Sequence, residues 1–282
     1  MSEIPSQDQP YPGRTGEMSP QPDDEMRDYT GSGFLTGKRA LVTGGDSGIG
    51  RAVAVAFAKE GADVAIAYLS EDADAEHTQR LVEEAGRRAL LIRGDLAEEE
   101  RCQEAVDRTV EQLGGLDVLV NNVAYQAPVE DLTELTTQQL TRTFQVNVYS
   151  YFWTTRAALK HLPDGGAIIN TGSVNGLRGN RTLIDYAATK GAVTAFTYSM
   201  AQSLIDRGIR VNCVAPGPVW TPLIPATLPP DRVEGFGEQA PAGRAAHPDE
   251  IAPSYVFFAS ERLSSYYTGE VLAPTGGEIQ QG

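Results

Sequence analysis

A chain whose short apolar runs alternate with helix-length segments has few folds open to it, and most of this sequence follows that alternation. The apolar runs predict seven strands, at residues 39–44, 62–69, 88–95, 116–122, 166–173, 209–217 and 270–277. Helix-length segments lie near 48–60, 73–86, 98–113, 136–161, 184–206 and 249–260. Several runs are nearly continuous Val, Ile, Leu and Ala, as expected of strands covered on both faces. The pattern predicts a single α/β domain, residues 34–282, with a seven-stranded parallel sheet and helices on both faces.

The first 33 residues do not follow this pattern. They are rich in proline, glycine and acids, with seven acidic residues and two arginines, and they show no hydrophobic period. Such a composition is typical of a disordered tail. The alternative is an arm docked on its own body or on a neighbouring subunit, and we favour this alternative.

A second irregular stretch, residues 217–248, holds seven of the 17 prolines and several apolar side chains, including Trp220 and Phe236. A long segment of this kind within a compact domain is often functional. It is either a variable surface loop or a lid over a substrate. We favour a lid, because apolar side chains on a plain solvent loop would have no use.

Composition and charge exclude several classes of partner. The formal charge of −15 opposes binding to the phosphates of nucleic acid. No apolar run reaches the roughly 20 residues that cross a bilayer, so no membrane partner is expected. The two cysteines are isolated, the start lacks the pattern of a signal peptide, and the three histidines are scattered. We expect a cytoplasmic protein without a metal site.

The turn at 43–50, Thr-Gly-Gly-Asp-Ser-Gly-Ile-Gly, directly follows the first predicted strand and opens a helix. Glycines at Gly44, Gly48 and Gly50 let the backbone turn sharply and approach a pyrophosphate, which the N–H groups of a helix N-terminus bind. The spacing alone is weak evidence, and a tight turn needed only for packing is the alternative. Its place after the first strand favours a dinucleotide site.

The end of the second strand is where the adenosine ribose of a dinucleotide is expected. An acid there favours NAD, whereas a nearby arginine favours the 2′-phosphate of NADP. Tyr68 occupies the position of the acid, while the turn offers Asp46 and Ser47 instead of a basic residue. The two signals conflict, and the missing acid leans slightly towards NADP(H).

Two further polar residues follow strands. Asp95 comes after the third strand, and Asn121 ends the fourth. The carboxyl ends of parallel strands form the edge at which ligands bind open α/β sheets. Side chains there are expected to hydrogen-bond the adenine or its ribose. For Asn121, a structural bond between strands is an equal alternative.

Tyr186 and Lys190 carry the strongest chemical signal. They lie one turn apart on a predicted helix and therefore share a face. An ammonium and a nicotinamide cation both favour the phenolate, so the pKa of Tyr186 is expected to fall from about 10 towards 7, which takes roughly 4 kcal/mol. Tyr186 then exchanges a proton with a carbonyl or alcohol oxygen. Ser173 is expected to hydrogen-bond the same oxygen, and Asn147 to hold a water that connects Lys190 with solvent.

Together these residues resemble the short-chain dehydrogenase/reductases over residues 34–282. The resemblance rests on Thr-Gly-x3-Gly-Ile-Gly at 43–50, Asn-Asn-x-Ala at 121–124, Asn147, Ser173, Tyr186-x3-Lys190 and Pro-Gly-Pro-Val-Trp-Thr at 216–221. Within the family the chain is most similar to the bacterial glucose/ribitol dehydrogenase-like and aldehyde reductases, which also carry this glycine turn and a proline-rich acidic arm. It departs from the family at Val123 and Ala124, where Ala-Gly is usual, and at 274–277, where an acid is commoner.

The resemblance implies a Rossmann-type fold, an NAD(P) cofactor, a catalytic tetrad of Asn147, Ser173, Tyr186 and Lys190, and a nicotinamide covered by 216–221. The residues expected to contact the cofactor are Gly44, Asp46, Ser47, Gly48, Ile49, Gly50, Tyr68, Asp95, Leu96, Asn121, Ala124, Tyr186, Lys190, Pro216, Gly217, Val219 and Thr221. Family members are commonly homotetramers, in which the helices at 136–161 and 184–206 form an interface.

The leading hypothesis is an NAD(P)-dependent oxidoreductase that interconverts an aldehyde or ketone and an alcohol in a small-molecule substrate. The alternative is a cofactor-binding sensor or scaffold with little turnover, against which the intact tetrad argues. A lyase or epimerase on the same scaffold is less well supported, because nothing in the sequence adds a second acid–base residue or a larger substrate domain.

Overall fold

The computed structural model describes residues 4–279 and contains one sheet of seven parallel strands. The strand order is β3-β2-β1-β4-β5-β6-β7. The strands are β1 Arg39–Thr43, β2 Asp63–Tyr68, β3 Ala89–Arg93, β4 Val118–Asn121, β5 Ala167–Thr171, β6 Arg210–Val214 and β7 Val271–Leu272. The predicted single-domain α/β fold, its strand number and its parallel direction are confirmed.

Helices cover the sheet on both faces. They are α1 Gly48–Lys59, α2 Asp72–Glu84, α3 Glu99–Leu113, α4 Thr137–Phe144, α5 Ser150–Ala158, α6 Val174–Arg178, α7 Ile184–Ser203, α8 Leu223–Thr227, α9 Pro230–Val233, α10 Pro248–Ala259 and α11 Glu261–Ser264. Alternate residues of a strand point to opposite faces. Accordingly Ala40 and Val42 pack in the core under α1 and α10, whereas Leu41 packs in the core under α3, α5 and α7.

The strand order positions the site. From β1 the chain fills the sheet first towards β2 and β3, and then on the other side from β4 to β7. The reversal opens a crevice at the carboxyl ends of β1 and β4, which is where ligands bind folds of this kind. The glycine turn at 43–50 follows β1 and therefore lies at this crevice.

Two elements differ from the prediction. The segment 136–161 is not one helix, because a π-helical turn at Gln145–Tyr149 separates α4 from α5. Such turns are frequent at functional sites, and this one carries Asn147. The last strand covers only Val271–Leu272, since the chain leaves the sheet at Pro274 and turns through two glycines with positive φ.

Residues 4–33 lie against the body of the protein, although regular structure among them is limited to a 3₁₀ turn at Thr15–Glu17. The carboxylate of the buried Glu60 accepts the backbone N–H groups of Ser32 (2.9 Å) and Phe34 (2.8 Å). The ammonium of Lys59 donates to the carbonyl of Tyr29 at 3.0 Å. The side chains of Lys59 and Glu60, at the end of α1, thus bond backbone groups that regular secondary structure would otherwise pair. The boundary between residues 33 and 34 stays a prediction.

The irregular segment 217–248 contains the short helices α8 and α9 and a small apolar core. Trp220 is wholly buried in this core, which it shares with Ile4 and Met18 of the first segment. Its indole N–H donates to the carbonyl of Pro20 at 2.7 Å. Part of the apolar surface of 217–248 is therefore used in packing against residues 4–33.

Among the helices that the structure describes, none combines the length and the apolar character that crossing a membrane requires.

Candidate active site and dinucleotide cleft

A cleft with a volume of about 760 Å³ lies at the carboxyl edge of the sheet, between the glycine turn and the segment 217–248. Most residues predicted to contact a cofactor line it. These are Gly44, Asp46, Ser47, Gly48, Ile49, Tyr68, Asp95, Leu96, Ala124, Tyr186, Lys190, Pro216, Gly217, Val219 and Thr221. Sequence positions as far apart as 44 and 221 are thus brought to one surface by the parallel sheet.

The glycine turn has the backbone shape that its sequence predicts. Gly44 and Gly48 have φ values of 63° and 52°, in the left-handed region that favours glycine. Gly50 is needed for a different reason, because a Cβ there would lie 1.8 Å from the carbonyl oxygen of Gly44. Gly50 therefore lets α1 pack against the turn. Gly50 is not among the residues that line the cleft, and its contact with a cofactor stays a prediction.

A buried ionic network lies beneath the turn. The guanidinium of Arg51, on α1, is paired with Asp24 at 3.2 Å and with Asp74 of α2 at 2.7 Å. Asp24 also accepts the backbone N–H of Gly48 at 3.1 Å. Burial raises the pKa of Asp24 to about 6, against the lowering effect of Arg51. The network joins the N-terminal segment, the glycine turn and α2.

The end of β2 is acidic. The hydroxyl of Tyr68 donates to Asp72 at 2.8 Å. Asp46, in the turn, is buried, and its pKa rises to about 7, first because of burial and then because of the negative charge of nearby Glu71. The Asp46 carboxyl is therefore much easier to protonate than a solvent-exposed one. A neutral carboxyl can donate a hydrogen bond, which an ionised one cannot.

Ser173, Tyr186 and Lys190 meet at the other end of the cleft. Ser173 follows β5 and caps α6, where its hydroxyl accepts the N–H of Asn175 at 3.1 Å. Tyr186 lies in the first turn of α7, and the ammonium of Lys190 lies 5.6 Å from the centroid of its ring. The two helices approach closely, since a Cβ at Gly176 would lie 2.5 Å from the backbone of Lys190. The predicted proximity of these three side chains is present.

The chain's own groups do not lower the pKa of Tyr186. The expected fall, which includes the charge of a nicotinamide cation, stays a prediction. Burial raises the pKa of Tyr186 to about 12, although a hydrogen bond with the Ser173 hydroxyl acts in the lowering direction. The ammonium of Lys190 instead donates to the carbonyl of Thr171 at 2.7 Å, and burial lowers its own pKa to about 8. The phenol of Tyr186 is therefore neutral at neutral pH.

Two of the predicted asparagines hydrogen-bond to the protein next to the cleft. Asn147 accepts the N–H of Tyr125 at 2.7 Å and donates to its carbonyl at 2.8 Å. It thus fixes the backbone beside Ala124. The expected water between Asn147 and Lys190 stays a prediction. Asn121 is wholly buried and donates to Asn170 on β5 at 3.0 Å. This bond favours the structural alternative for Asn121, and its contact with a cofactor stays a prediction.

The neighbouring Asn122 faces the cleft and shapes the turn. Its side-chain amide donates to the carbonyls of Thr43 at 3.1 Å and Gly44 at 3.0 Å. The motif at 121–124 predicts a role for its first asparagine, but the second one reaches the glycine turn.

Sequence reasoning missed several residues that line the cleft. Tyr11 and Pro12 come from the N-terminal segment, and Arg142 comes from α4, where it is paired with Asp95 at 2.7 Å. Polar side chains near Ser173 also line the cleft, namely Gln126, Asn175, Arg178, Asn180, Arg232 and Gln239. Most of these residues lie in loops or short helices, where no hydrophobic period signals which side chain faces inward.

No group of three or more His, Cys, Asp or Glu side chains in the described part of the chain is arranged to hold a metal ion.

Comparison with known proteins defines the class. Residues 44–278 match the family model described as enoyl-(acyl carrier protein) reductase. The chain is 56% identical to general stress protein 39 of Bacillus subtilis, with 98% of this chain and 97% of the other covered. It is 47% identical to the chloroplastic NADPH-dependent aldehyde reductase 1 of Arabidopsis thaliana, with 95% of each covered.

Solved structures that resemble this chain belong to the same class of protein. A short-chain dehydrogenase from Burkholderia cenocepacia in complex with NADP is 36% identical, with a TM-score of 0.78, and the match covers 86% of this chain and 98% of that one. The chain described here belongs to the short-chain dehydrogenase/reductase family of oxidoreductases, as the sequence motifs indicated.

Proposed function

We propose that the protein interconverts an aldehyde or ketone and the corresponding alcohol, with NADP(H) as the preferred hydride carrier. The observation that carries this proposal is the shared cleft, with Ser173, Tyr186 and Lys190 at one end and the glycine turn at the other. A dinucleotide is long enough to join these two ends. Its nicotinamide supplies or accepts the hydride, and the protein supplies the proton and the orientation.

The glycine turn fits the pyrophosphate of such a cofactor. The absence of side chains at Gly44 and Gly48 leaves the backbone open to close approach, and α1 begins at Gly48. The N-terminus of a helix favours anions, because its N–H groups are unpaired and its dipole is positive there. The Gly48 N–H is already taken by Asp24, so the N–H groups of Ser47 and Ile49 are the ones we assign to the phosphates.

Tyr186 is the proton donor in the proposed reduction. A phenol with a raised pKa is fully protonated at neutral pH and can pass its proton to the developing alkoxide. Ser173 holds the substrate oxygen by a hydrogen bond, and the positive charge of Lys190 stabilises the phenolate that remains. In the reverse direction the same residues oxidise an alcohol. Tyr186 must then first lose its proton, because the phenolate is the base that accepts the alcohol proton.

The preference for NADP(H) is supported by residues of the cleft and by similar proteins. Tyr68 stands where an acid would repel a 2′-phosphate, and the raised pKa of Asp46 favours a neutral carboxyl, which can donate a hydrogen bond to that phosphate. The Arabidopsis relative is named as NADPH-dependent, and the Burkholderia structure holds NADP.

We propose a small substrate of mixed polarity, enclosed by residues 217–248 acting as a lid. This segment brings apolar Leu223 and Phe236 and polar Arg232 and Gln239 to the same cleft. The apolar side chains exclude water from the reacting carbonyl, and the polar ones can hydrogen-bond hydroxyl groups elsewhere on the substrate.

We also propose a homotetramer in the cytoplasm. Tyr149, Phe152 and Tyr198, on the two helical segments expected at the interface, are each about half exposed, Phe152 by 50%. Aromatic side chains on an outer helix face are typical of subunit interfaces. Cys102 and Cys213 are both free and buried, which supports a reducing compartment.

The experiment that tests the proposed function measures oxidation of NADPH and NADH by the purified protein against a panel of aldehydes and ketones. We expect turnover of at least one class of carbonyl, faster with NADPH than with NADH. Clear thermal stabilisation by either cofactor without turnover of any panel member would instead support a sensor or scaffold.

A further inference from the structure

Residues 9–15 of the N-terminal segment, which we call the crossing segment, run across the mouth of the cleft. At one end the backbone N–H of Gln9 donates to the carbonyl of Pro225 on α8 at 2.9 Å. At the other end the N–H of Thr15 donates to the carboxylate of Asp74 on α2 at 3.1 Å. The crossing segment therefore joins the segment 217–248 to the opposite rim of the cleft.

The middle of the crossing segment packs closely on its support. Gly13 has a φ of 89°, and a Cβ there would lie 2.5 Å from the carbonyl oxygen of Pro222 and 3.0 Å from the Cβ of Ala226. Gly16, just beyond the crossing segment, has no neighbour within 4 Å of the same position. Close contact with α8 is thus a property of Gly13 and not of every glycine in this region.

Tyr11 and Pro12 lie between these anchors and line the cleft itself. The ring of Tyr11 meets that of Tyr125 edge to face, with 5.2 Å between the ring centroids. Its hydroxyl faces the ion pair between Arg142 and Asp95, and burial raises the pKa of Tyr11 to about 12. The Tyr11 side chain is therefore neutral, aromatic and fixed on two sides.

The sheet order tells which half of the cleft Tyr11 covers. Ser173, Tyr186 and Lys190 lie beside β5, on one side of β1, whereas Asp95 follows β3, on the other side. A dinucleotide with its nicotinamide at Tyr186 and its pyrophosphate at the glycine turn extends its adenosine towards β2 and β3. Tyr11, next to Asp95, stands over that half.

We propose that the crossing segment is the outer wall of the adenosine half of the cofactor site, and that Tyr11 binds the adenosine. This proposal rests on the proposed function, since it assumes a nicotinamide dinucleotide. Aromatic rings bind purines by stacking or edge contacts. The hydrogen bond from Gly48 to Asp24 gives the same N-terminal segment a hold on the phosphate-binding turn, so that cofactor binding and docking of the segment support each other.

The test compares a full dinucleotide with its nicotinamide half. Dissociation constants for NADPH and for reduced nicotinamide mononucleotide, which lacks the adenosine, are measured by fluorescence titration on the wild-type protein and on Tyr11→Ala and Tyr11→Phe. We expect Tyr11→Ala to raise the dissociation constant for NADPH about tenfold. In Tyr11→Phe, which keeps the ring, this constant should stay within about twofold of the wild-type value. Binding of the mononucleotide should be the same in all three proteins.

A second pair of variants leaves Tyr11 in place. Gly13→Ala should shift the crossing segment away from α8 and lower the affinity for NADPH by about threefold or more. Gly16→Ala, the matched control, should leave the affinity unchanged. Mononucleotide affinity again should not respond to either change.

The outcomes separate the inference from the proposed function. A wild-type protein that binds neither NADPH nor NADH contradicts both. A wild-type protein that binds NADPH normally, with Tyr11→Ala and Gly13→Ala binding it equally well, contradicts the inference alone. Equal weakening of NADPH and the mononucleotide also contradicts it, since that result shows a general disturbance and no contact with adenosine.

Discussion

The two halves of the cleft are built from different material. The half that contains Ser173, Tyr186 and Lys190 is formed by the ends of central strands and by the 20-residue helix α7. The half near Asp95 is completed by residues 9–15, which lack strands and long helices. The first half is held by regular backbone structure, whereas the second depends on single hydrogen bonds between distant parts of the chain.

We infer that one half of the cleft carries out the reaction and that the other half binds the cofactor. The half with Tyr186 contains the groups that we propose move a proton, and their positions are fixed by the core of the domain. The half with Tyr11 contains groups that we propose enclose a ligand, and no strand of the sheet forms its outer wall. Changes in the first half should therefore reduce the rate of the reaction, and changes in the second should reduce binding or the stability of the docked segment.

The largest expected effect is on the reaction rate. Tyr186→Phe should lower kcat about a thousandfold, equivalent to about 4 kcal/mol, because it removes the proton donor and leaves the shape of the site. Steady-state kinetics with a carbonyl from the panel measure it. Affinity for NADPH should hardly change, and Tyr266→Phe, at a 98% exposed position, is the matched control. Near wild-type turnover by Tyr186→Phe would contradict the assignment of the reaction to this half of the cleft.

The second effect concerns the attachment of the N-terminal segment. Arg51→Met should lower the free energy of unfolding by about 3 kcal/mol, because it leaves Asp24 and Asp74 buried beside each other without their cation. Denaturant unfolding measures the loss. Arg80→Met on the exposed face of α2 serves as the control and should cost about 0.5 kcal/mol or less. Equal stabilities for the two variants would show that the network does not hold the segment.

A smaller effect concerns the choice of cofactor. The pKa of Asp46 is raised to about 7, so the side chain changes from neutral to ionised as the pH rises through that value. The ionised form repels a 2′-phosphate, and the affinity for NADPH should fall about tenfold relative to NADH between about pH 6 and pH 8. Titrations of both cofactors at several pH values measure the ratio. In Asp46→Asn the ratio should lose this dependence, and a wild-type ratio that is independent of pH would count against the role of Asp46.

The sequence predicts the first half of the cleft far better than the second. Continuous apolar runs place β1 to β6 within a few residues of their observed bounds, because buried parallel strands need such runs. The i, i+4 spacing places Tyr186 beside Lys190 for the same geometric reason. Local periodicity is enough when regular secondary structure positions the side chain.

The rest depends on contacts that no local pattern records. Residues 4–33 have no hydrophobic period, and their docking rests on pairs such as Asp24 with Arg51, a residue that looks like an ordinary exposed arginine in the sequence of α1. The pKa of Tyr186 is a second example. Spacing predicts a lowering by Lys190, but burial raises the pKa of Tyr186, and Lys190 donates to the carbonyl of Thr171. Both facts are visible only in three dimensions.

The role of Tyr186 as the group that gains and loses the proton is tested most directly by the pH dependence of the two directions of the reaction. Alcohol oxidation requires the phenolate, so its kcat should rise about tenfold per unit between about pH 6 and pH 8, while carbonyl reduction stays level over the same range. The residual oxidation by Tyr186→Phe should lack this rise. Oxidation that is independent of pH in the wild-type protein, or an unchanged rise in Tyr186→Phe, would contradict the account.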